Sequence, residues 1–339
     1  VTQNKFKSFL KLPGGSEIQK CFYPFKLDTY GKGCNHNCLY CYARSTLDFR
    51  KLWNHEQPGI ADYNKIEKIF KDWSNGKSGK FTKYLDTKIP LRLGGMTDCF
   101  MDFELEHQVT YKTLKLLKEY DYPILILTKN KNVALDKYIE VMEPDNTYIQ
   151  FSISTPFDEV GKVFEPQASL VSERLNSIKK LTDSGFYIRA RINPMFPIYP
   201  EGYYSENRYQ DSKPLGIFDW SLLNKLSEVG AGSVIAGFLR LNSFNIKWIK
   251  EQTGKDLKYL FKEQSFKNGA LHFGTEEKRY YYEKCKKLRD EQGLRFSICY
   301  DGDEDYEEFQ YLWANKNDCC DGLNNIKGFK NNFACFRGG

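Results

Sequence analysis

Long apolar runs are scarce in this sequence of 339 residues. The longest, Pro123 to Leu127, falls far short of the roughly 20 apolar residues that cross a bilayer, so no membrane partner is expected. The stretch from Val1 to Gly15 carries lysines and no sustained apolar core, and is not expected to act as a secretory signal. Ten cysteines are far too thin a density for a small disulfide-stapled scaffold. Thiols that look unpaired point to a reducing, cytoplasmic compartment. Histidine is scarcer still: His36, His55, His107 and His272 show no metal-ligand spacing with one another. No internal repeat or low-complexity stretch interrupts the chain. The net charge, +6, is modest. It is unevenly spread, with twelve Lys/Arg against seven Asp/Glu between Asn242 and Asp290, a local balance of +5. Such a segment either forms a phosphate-tracking face or is the solvated surface of helices.

Against that background one short run stands out. Cys34, Cys38 and Cys41 fall within Gly-Cys-Asn-His-Asn-Cys-Leu-Tyr-Cys-Tyr-Ala-Arg. The C-x3-C-x2-C spacing puts three thiolates on one tight loop with no fourth cysteine nearby. A cubane iron–sulfur cluster normally takes four protein thiolates. Three would leave one iron open to a substrate or cofactor, which is a catalytic arrangement. The competing ligand is structural zinc, with His36 or a distant cysteine as fourth donor.

From this loop onward, strand and helix signals alternate. Apolar runs at Pro90–Leu93, Pro123–Thr128, Thr147–Ser154, Phe186–Ile192, Ser233–Phe238 and Leu294–Cys299 read as strands, most separated by helical segments. Val171, Leu175, Ile178 and Leu181 share one face of a helix that Gly185 can end. Repeated strand–helix units imply a parallel sheet with right-handed crossovers. The length allows a single large domain of this kind. The expected organisation is an N-terminal extension over 1–25, an α/β partial (β/α)6 barrel over 26–299, and an irregular, cysteine-containing tail over 300–339. In such barrels reactive groups sit at the C-terminal ends of strands, where Gly94-Gly95, Lys129 and Ser154 lie.

Residues 27–45 resemble the cluster loop of the radical S-adenosylmethionine (SAM) enzymes, and Tyr40, just before the last cysteine, suits that family. The wider pattern is similar to the spore photoproduct lyase-like branch. Leu93-Gly94-Gly95-Met96-Thr97-Asp98, Leu127-Thr128-Lys129, Ser152-Ile153-Ser154, Glu165-Pro166 and Arg174-Leu175 occur in that branch's order. The resemblance covers roughly residues 25–200. It implies a 4Fe–4S cluster on Cys34, Cys38 and Cys41 whose open iron binds SAM. Reductive cleavage of SAM would give a 5′-deoxyadenosyl radical that abstracts hydrogen from a substrate, with an electron donor such as flavodoxin or ferredoxin as partner. The branch points to a damaged or modified DNA base and a lyase- or isomerase-type rearrangement. A peptide- or small-molecule-modifying enzyme with an auxiliary cluster is the alternative. A non-catalytic, zinc- or cluster-stabilised nucleic-acid-binding module is the reading from another class.

The remaining residues take roles within that frame. Gly94 and Gly95 would let backbone approach the methionine amino group, while Thr97 and Asp98 could accept from the same ammonium. Lys129 is a compact charge for the SAM carboxylate. Ser152 and Ser154 point to one side of their strand and could reach ribose or carboxylate. Glu165 could hold the ribose hydroxyls or pair with Arg174. Arg189 and Arg191 also share a strand face. If that face is the barrel interior they await an anionic group, with Arg191 the better placed. In spore photoproduct lyases a cysteine near the Gly-Gly turn returns a hydrogen atom to the product. Here Gly95 stands at that place, leaving Cys99 as the catalytic candidate or, alternatively, a packed thiol. Cys299, Cys319, Cys320 and Cys335 form a candidate second metal site, for an auxiliary cluster or zinc. Asn193 to Pro214, with four prolines and Tyr199, Tyr203, Tyr204 and Tyr209, is too long for a mere connection. Its tyrosines either stack on an aromatic substrate or pack down as a lid.

Overall fold

A computed structural model of the chain describes residues 5–6, 9–11, 21, 23–196, 219–261, 265–267, 269–299, 306–313 and 319–329. The expected sheet forms, and all six apolar runs enter it. Seven parallel strands are numbered here along the chain: β1 (Lys26–Leu27), β2 (Leu91–Leu93), β3 (Ile124–Thr128), β4 (Thr147–Ser152), β5 (Ile188–Met195), β6 (Ser233–Phe238) and β7 (Arg295–Ile298). They lie side by side in sequence order, β1 to β7, with Leu10–Lys11 added antiparallel outside β1. A singly wound order of this kind follows from repeated crossovers of one hand and curls the sheet toward a barrel. Leu10–Lys11 thus form the sheet's edge on that side. β1 and Leu10–Lys11 are two residues each, too short for any periodicity to announce them.

The helices that matter for the site are α1 (Tyr42–Asp48), α2 (Val109–Glu119), α3 (Val171–Asp183), α4 (Ser243–Thr253) and α5 (Thr275–Glu291). Along α3, Val171, Ile178 and Leu181 are buried as the spacing requires. Gly185 follows at φ +88°, a conformation that stops a helix cheaply only at glycine.

Strand register divides β4 to β7 into two faces. Ile149, Phe151, Ile188, Ala190, Ile192, Val234, Ala236, Phe296 and Ile298 are all buried on the face turned to the helices. The other face carries two polar rows. Gln150, Arg189, Ser233 and Arg295 lie in register, and Ser152, Arg191, Ile235 and Ser297 form the next row toward the strand C-terminal ends. This is the concave, interior face: Arg191 reaches past β6 to the sulfur of Cys299, 3.4 Å away.

The tail closes the interior at the N-terminal ends of the strands. Arg189 Nη1 donates to the Cys319 carbonyl at 2.5 Å, and Tyr148 donates its hydroxyl proton to the Cys320 carbonyl. Asp321 accepts from Arg295 through both carboxylate oxygens. Gly322 sits where a Cβ would come within 2.9 Å of the Tyr148 ring, so no larger residue fits without displacement. Phe329, 1% exposed, packs between Tyr23 and Tyr148 at ring distances of 5.7 and 6.0 Å. Phe329→Ala is therefore expected to destabilise the whole barrel by about 3 kcal/mol. The shift of the urea unfolding midpoint measures it; an unchanged midpoint would mean that the tail does not seal the interior.

Candidate cofactor site at the cysteine loop

The loop carrying the three cysteines runs from Gly31 to the start of α1. Two turns shape it: Asn37 N–H donates to the Cys34 carbonyl at 3.3 Å, and Cys41 N–H to that of Cys38 at 3.2 Å. Asn37 adopts φ +51°, where asparagine is among the tolerated non-glycine residues. Cys41 caps α1, its sulfur accepting the Arg44 N–H at 3.4 Å. Arg44 in turn stacks over Trp248 of α4, 4.0 Å from the ring centroid. The cap of α4 grips the same loop. Asn245 Nδ2 donates to the Leu39 carbonyl at 3.3 Å, and Asn242 Nδ2 donates to Ser45 Oγ at 2.9 Å.

All three thiols are free. Backbone N–H groups of Asp98 and His36 face the Cys34 sulfur, and those of Arg44 and Ala43 face that of Cys41. Burial nevertheless pushes the Cys34 thiol up to about 12, with nearby Asp98 adding to the rise, and raises Cys38 and Cys41 as well. Only a strongly cationic centre would ionise thiols in this setting. Three unbridged sulfurs with amide donors aimed at them fit an iron–sulfur cluster held by three protein ligands. Zinc fits less well. His36 has Nδ1 3.5 Å from Asp98 Oδ2 and Nε2 3.3 Å from Asn130 Nδ2, so both nitrogens are engaged, and burial lowers its pKa. Among the described residues, no three His, Cys, Asp or Glu side chains are disposed to hold a single metal ion.

Beside the loop lies a buried ion cluster. Glu165, 2% exposed, accepts from Lys129 Nζ at 2.9 Å, from the Tyr40 hydroxyl and from the Arg174 guanidinium. Burial alone would raise its pKa; the charges of Arg174 and Lys129 outweigh it and hold the carboxyl at about 2. Arg174 also donates to the Ser152 carbonyl at 2.9 Å, tying α3 to the end of β4. Of the two roles open to Glu165, pairing with Arg174 is the one observed. Lys129 also contacts Tyr40 Oη at 3.1 Å, so its charge is already partly committed. Ser154, beside the same tyrosine, has a buried hydroxyl with no hydrogen-bond partner among the described residues.

The glycine turn follows β2. Gly94 adopts φ +80°, and a Cβ there would stand 2.4 Å from the Leu127 carbonyl oxygen, so this glycine serves the packing of β2 on β3. The amides of Gly95 and Met96 donate to Asp28 Oδ1 at 3.1 and 3.3 Å. The Asp98 carboxylate takes Phe100 N–H, Thr128 Oγ1–H and Lys129 N–H at 2.6–3.0 Å and fixes the end of β3. Thr97 differs, since its buried hydroxyl oxygen has no partner among the described residues. Cys99 is 1% exposed in the apolar core, its thiol raised well above the ordinary range by burial and by Asp98, the placement of the packed thiol that is one of its two readings.

Among the described residues, Cys299, Cys319 and Cys320 do not group as ligands of a metal ion; Arg191 Nη2 stands 3.4 Å from the Cys299 sulfur, and the carbonyls of Cys319 and Cys320 serve to plug the barrel. Cys335 and residues 197–214 of the Tyr/Pro-rich loop lie outside the described residues. Residues that sequence reasoning missed are Asp28, Asn130, Asn242 and Asn245. Asp28 stood beside the recognised loop, whereas the pairing of Asn245 with Leu39 spans 206 residues and leaves no local signal.

The ion cluster has a pH signature. The folded-state pKa of Glu165 is depressed, so its stabilisation is complete above the ordinary carboxyl value of 4.5 and is lost as pH falls toward about 2. Glu165→Gln would leave Arg174 and Lys129 without their counter-charge, costing about 3–5 kcal/mol at neutral pH. The thermal midpoint of the variant should also fall less steeply between pH 4.5 and 3 than that of the parent; parallel pH profiles would remove Glu165 from this role.

No curated protein matches the sequence. Among solved structures, a spore photoproduct lyase double mutant with bound AdoMet and dinucleoside spore photoproduct is similar at TM-score 0.58 and 17% identity, covering 81% of this chain and 76% of that one. A single mutant of spore photoproduct lyase is similar at TM-score 0.59 and 16% identity, over 87% and 79% of the two chains. Another, with dinucleoside spore photoproduct, gives 0.59 and 16% over 87% and 80%. At such identities the likeness is one of fold, the partial barrel. The model of the Radical SAM superfamily matches residues 29–200, just over half of the chain and the part that holds the cysteine loop and the buried ion cluster, and the chain belongs to that superfamily.

Proposed function

We propose that this chain binds a 4Fe–4S cluster through Cys34, Cys38 and Cys41, cleaves SAM reductively, and directs hydrogen abstraction at a damaged or modified DNA base, leading to a lyase- or isomerase-type rearrangement. Bound there, cluster and SAM would supply the 5′-deoxyadenosyl radical; the chain supplies position and exclusion of water. The observation that carries the reading is convergence: Lys129, Ser154, Thr97 and the Gly94-Gly95 turn follow three different strands and Glu165 ends a helix, and Lys129, Glu165 and Gly95 all meet the tyrosines of the cysteine loop. Lys129, with three N–H groups and two acceptors engaged, retains one for a carboxylate. The unpartnered Thr97 hydroxyl is free to accept from an ammonium. A one-electron donor of the flavodoxin or ferredoxin kind is the partner, in the cytoplasm where thiols stay reduced. Among the described residues no helix is long and apolar enough to cross a membrane.

The DNA assignment leans on the spore photoproduct lyase likeness. A second reading, a small-molecule or peptide substrate, is favoured by the fate of the basic segment. Lys247, Lys250, Arg279, Lys286 and Arg289 each pair with an acid in or beside α4 and α5, which makes that surface a solvated ion-pair lattice.

The test is release of 5′-deoxyadenosine by anaerobically reconstituted protein given SAM and dithionite. Cys34→Ala is expected to abolish release, and Lys129→Ala to weaken SAM binding about tenfold. Zinc in place of iron, or release unaffected by Cys34→Ala, would sink the assignment. Adding unmodified and ultraviolet-irradiated DNA, followed by mass spectrometry of the nucleosides, separates the two substrate readings: acceleration with a mass change supports DNA, and indifference supports the second.

A further inference from the structure

Three of the nine large apolar side chains left exposed among the described residues come from one short segment: Tyr42, Phe49 and Leu52. The segment begins as α1, whose buried side consists of Ala43, Arg44 and Ser45, with Arg44 stacked on Trp248 of α4. Tyr42, Thr46, Phe49 and Arg50 follow one another at helical spacing and are all exposed. Phe49, which ends the helix, is 91% exposed, and Lys51 and Leu52 beside it are exposed as well. Single apolar side chains on a surface are ordinary. An aromatic and an aliphatic one flanking two cations have the composition of an interface.

Those cations are uncommitted. Among the described residues neither Arg50 nor Lys51 has an ion-pair partner, in contrast with the lysines of α4 and α5, and Lys32 at the head of the cysteine loop has none either. Asp48 faces Arg44 at 4.0 Å, and Glu56 is the one acid between Phe49 and Gln57. The surface therefore carries an unneutralised positive charge around an apolar centre.

The same segment is fastened to the cysteine loop at both ends. α1 starts on Cys41, and its seven residues span about 10 Å. Past α1 the chain returns to the loop: Asn54 N–H donates to the Lys32 carbonyl at 2.7 Å, and Asn35 Nδ2 donates to the His55 carbonyl at 2.9 Å. Gly33, the neighbour of Cys34, is covered so closely that a Cβ would stand 1.7 Å from the Asn54 carbonyl oxygen. The segment thus joins the loop at Cys41 and touches it beside Cys34.

We propose that Phe49, Arg50, Lys51 and Leu52, with Lys32 beside the cysteine loop, form the docking surface for the one-electron donor, an acidic carrier protein. The proposal rests on the assignment of a cluster to Cys34, Cys38 and Cys41. On docking, the reduced carrier loses one electron and the cluster gains it; no bond forms or breaks. Arg50 and Lys51 steer the carrier's carboxylates toward the loop, and Phe49 and Leu52 supply the desolvated centre that holds the encounter. A nucleic-acid backbone would occupy the cations and leave Phe49 and Leu52 unused.

The probes are a flavodoxin and a ferredoxin, both acidic, with the anaerobically reconstituted protein. Binding of each oxidised carrier is measured by isothermal titration, and 5′-deoxyadenosine release is compared with reduced carrier and with dithionite as the electron source. The parent is expected to bind at least one carrier, less tightly as salt is raised. Arg50→Glu combined with Lys51→Glu should weaken binding and slow carrier-driven release about tenfold, leaving dithionite-driven release unchanged. Phe49→Ala, at a position exposed enough to be neutral for folding, should weaken binding about threefold. Lys179→Glu combined with Lys287→Glu, the same charge change at exposed positions of α3 and α5, should alter neither. Three results overturn the proposal: no binding of either carrier, binding by the two surface variants equal to that of the parent, or equal loss of release with carrier and with dithionite. Equal weakening by the Lys179/Lys287 pair overturns it too. Absence of dithionite-driven release from the parent counts against the radical reading instead, while the titrations still decide whether this surface docks a carrier.

Discussion

The structure depends on one buried carboxylate. Glu165 joins Arg174 of α3, Lys129 after β3 and Tyr40 of the cysteine loop, and is the one group that meets all three segments at once, beside the pairwise contacts His36–Asn130 and Lys131–Glu173. Each ion has been taken out of water at a cost, and the attraction repays that cost only while all partners are in place. An apolar trio could have packed the same volume with equal stability. What it could not do is fix the direction of an ammonium and of a phenol at the side of a loop of buried thiols. The cluster acts as a rigid bracket: it sets where Lys129 and Tyr40 point, and holds the loop to the strand ends.

A second constraint comes from the alternation of the strands. In a sheet buried on both faces both rows are usually apolar, and the helix-facing row here obeys. The interior row instead carries Gln150, Arg189, Arg191, Ser233 and Ser297. A polar interior row gives up the burial energy an apolar one would contribute. Arg295, at the end of that row, is neutralised by Asp321, whereas among the described residues Arg189 and Arg191 have no carboxylate in ion-pair contact.

Much of the fold was legible in the sequence because its signals are local. Six strands announced themselves as short apolar runs, and the Val171–Leu181 stripe gave α3 its buried face. The cysteine motif was legible for the same reason: Cys34, Cys38 and Cys41 fall within eight residues. What was not legible has two physical causes. Two-residue edge strands such as β1 lack any period to detect, and partners far apart in sequence leave no trace in either neighbourhood. Asp98 read as a ligand contact because its spacing after the glycine turn is right. Only the folded chain reveals that Thr128 and Lys129 have already claimed it. The pairing of Glu165 with Arg174 was one of two readings that sequence left open, and burial decided between them.

The tail shows how a plausible sequence argument can fail on charge. Cys319 and Cys320 in a polar stretch, with Cys299 closing a strand, resemble a ligand set. In the fold Arg191 stands 3.4 Å from the Cys299 sulfur, and a guanidinium, charged at any accessible pH, repels a cationic metal centre. The same residues make sense as a stopper. Their carbonyls satisfy Arg189 and Tyr148, and Asp321 neutralises Arg295, while Gly322 and Phe329 fill the gap against Tyr23 and Tyr148. The described part of the tail thus closes the strand N-terminal ends, while the cysteine loop packs beside the C-terminal ends of β3 and β4 through Lys129 and Tyr40.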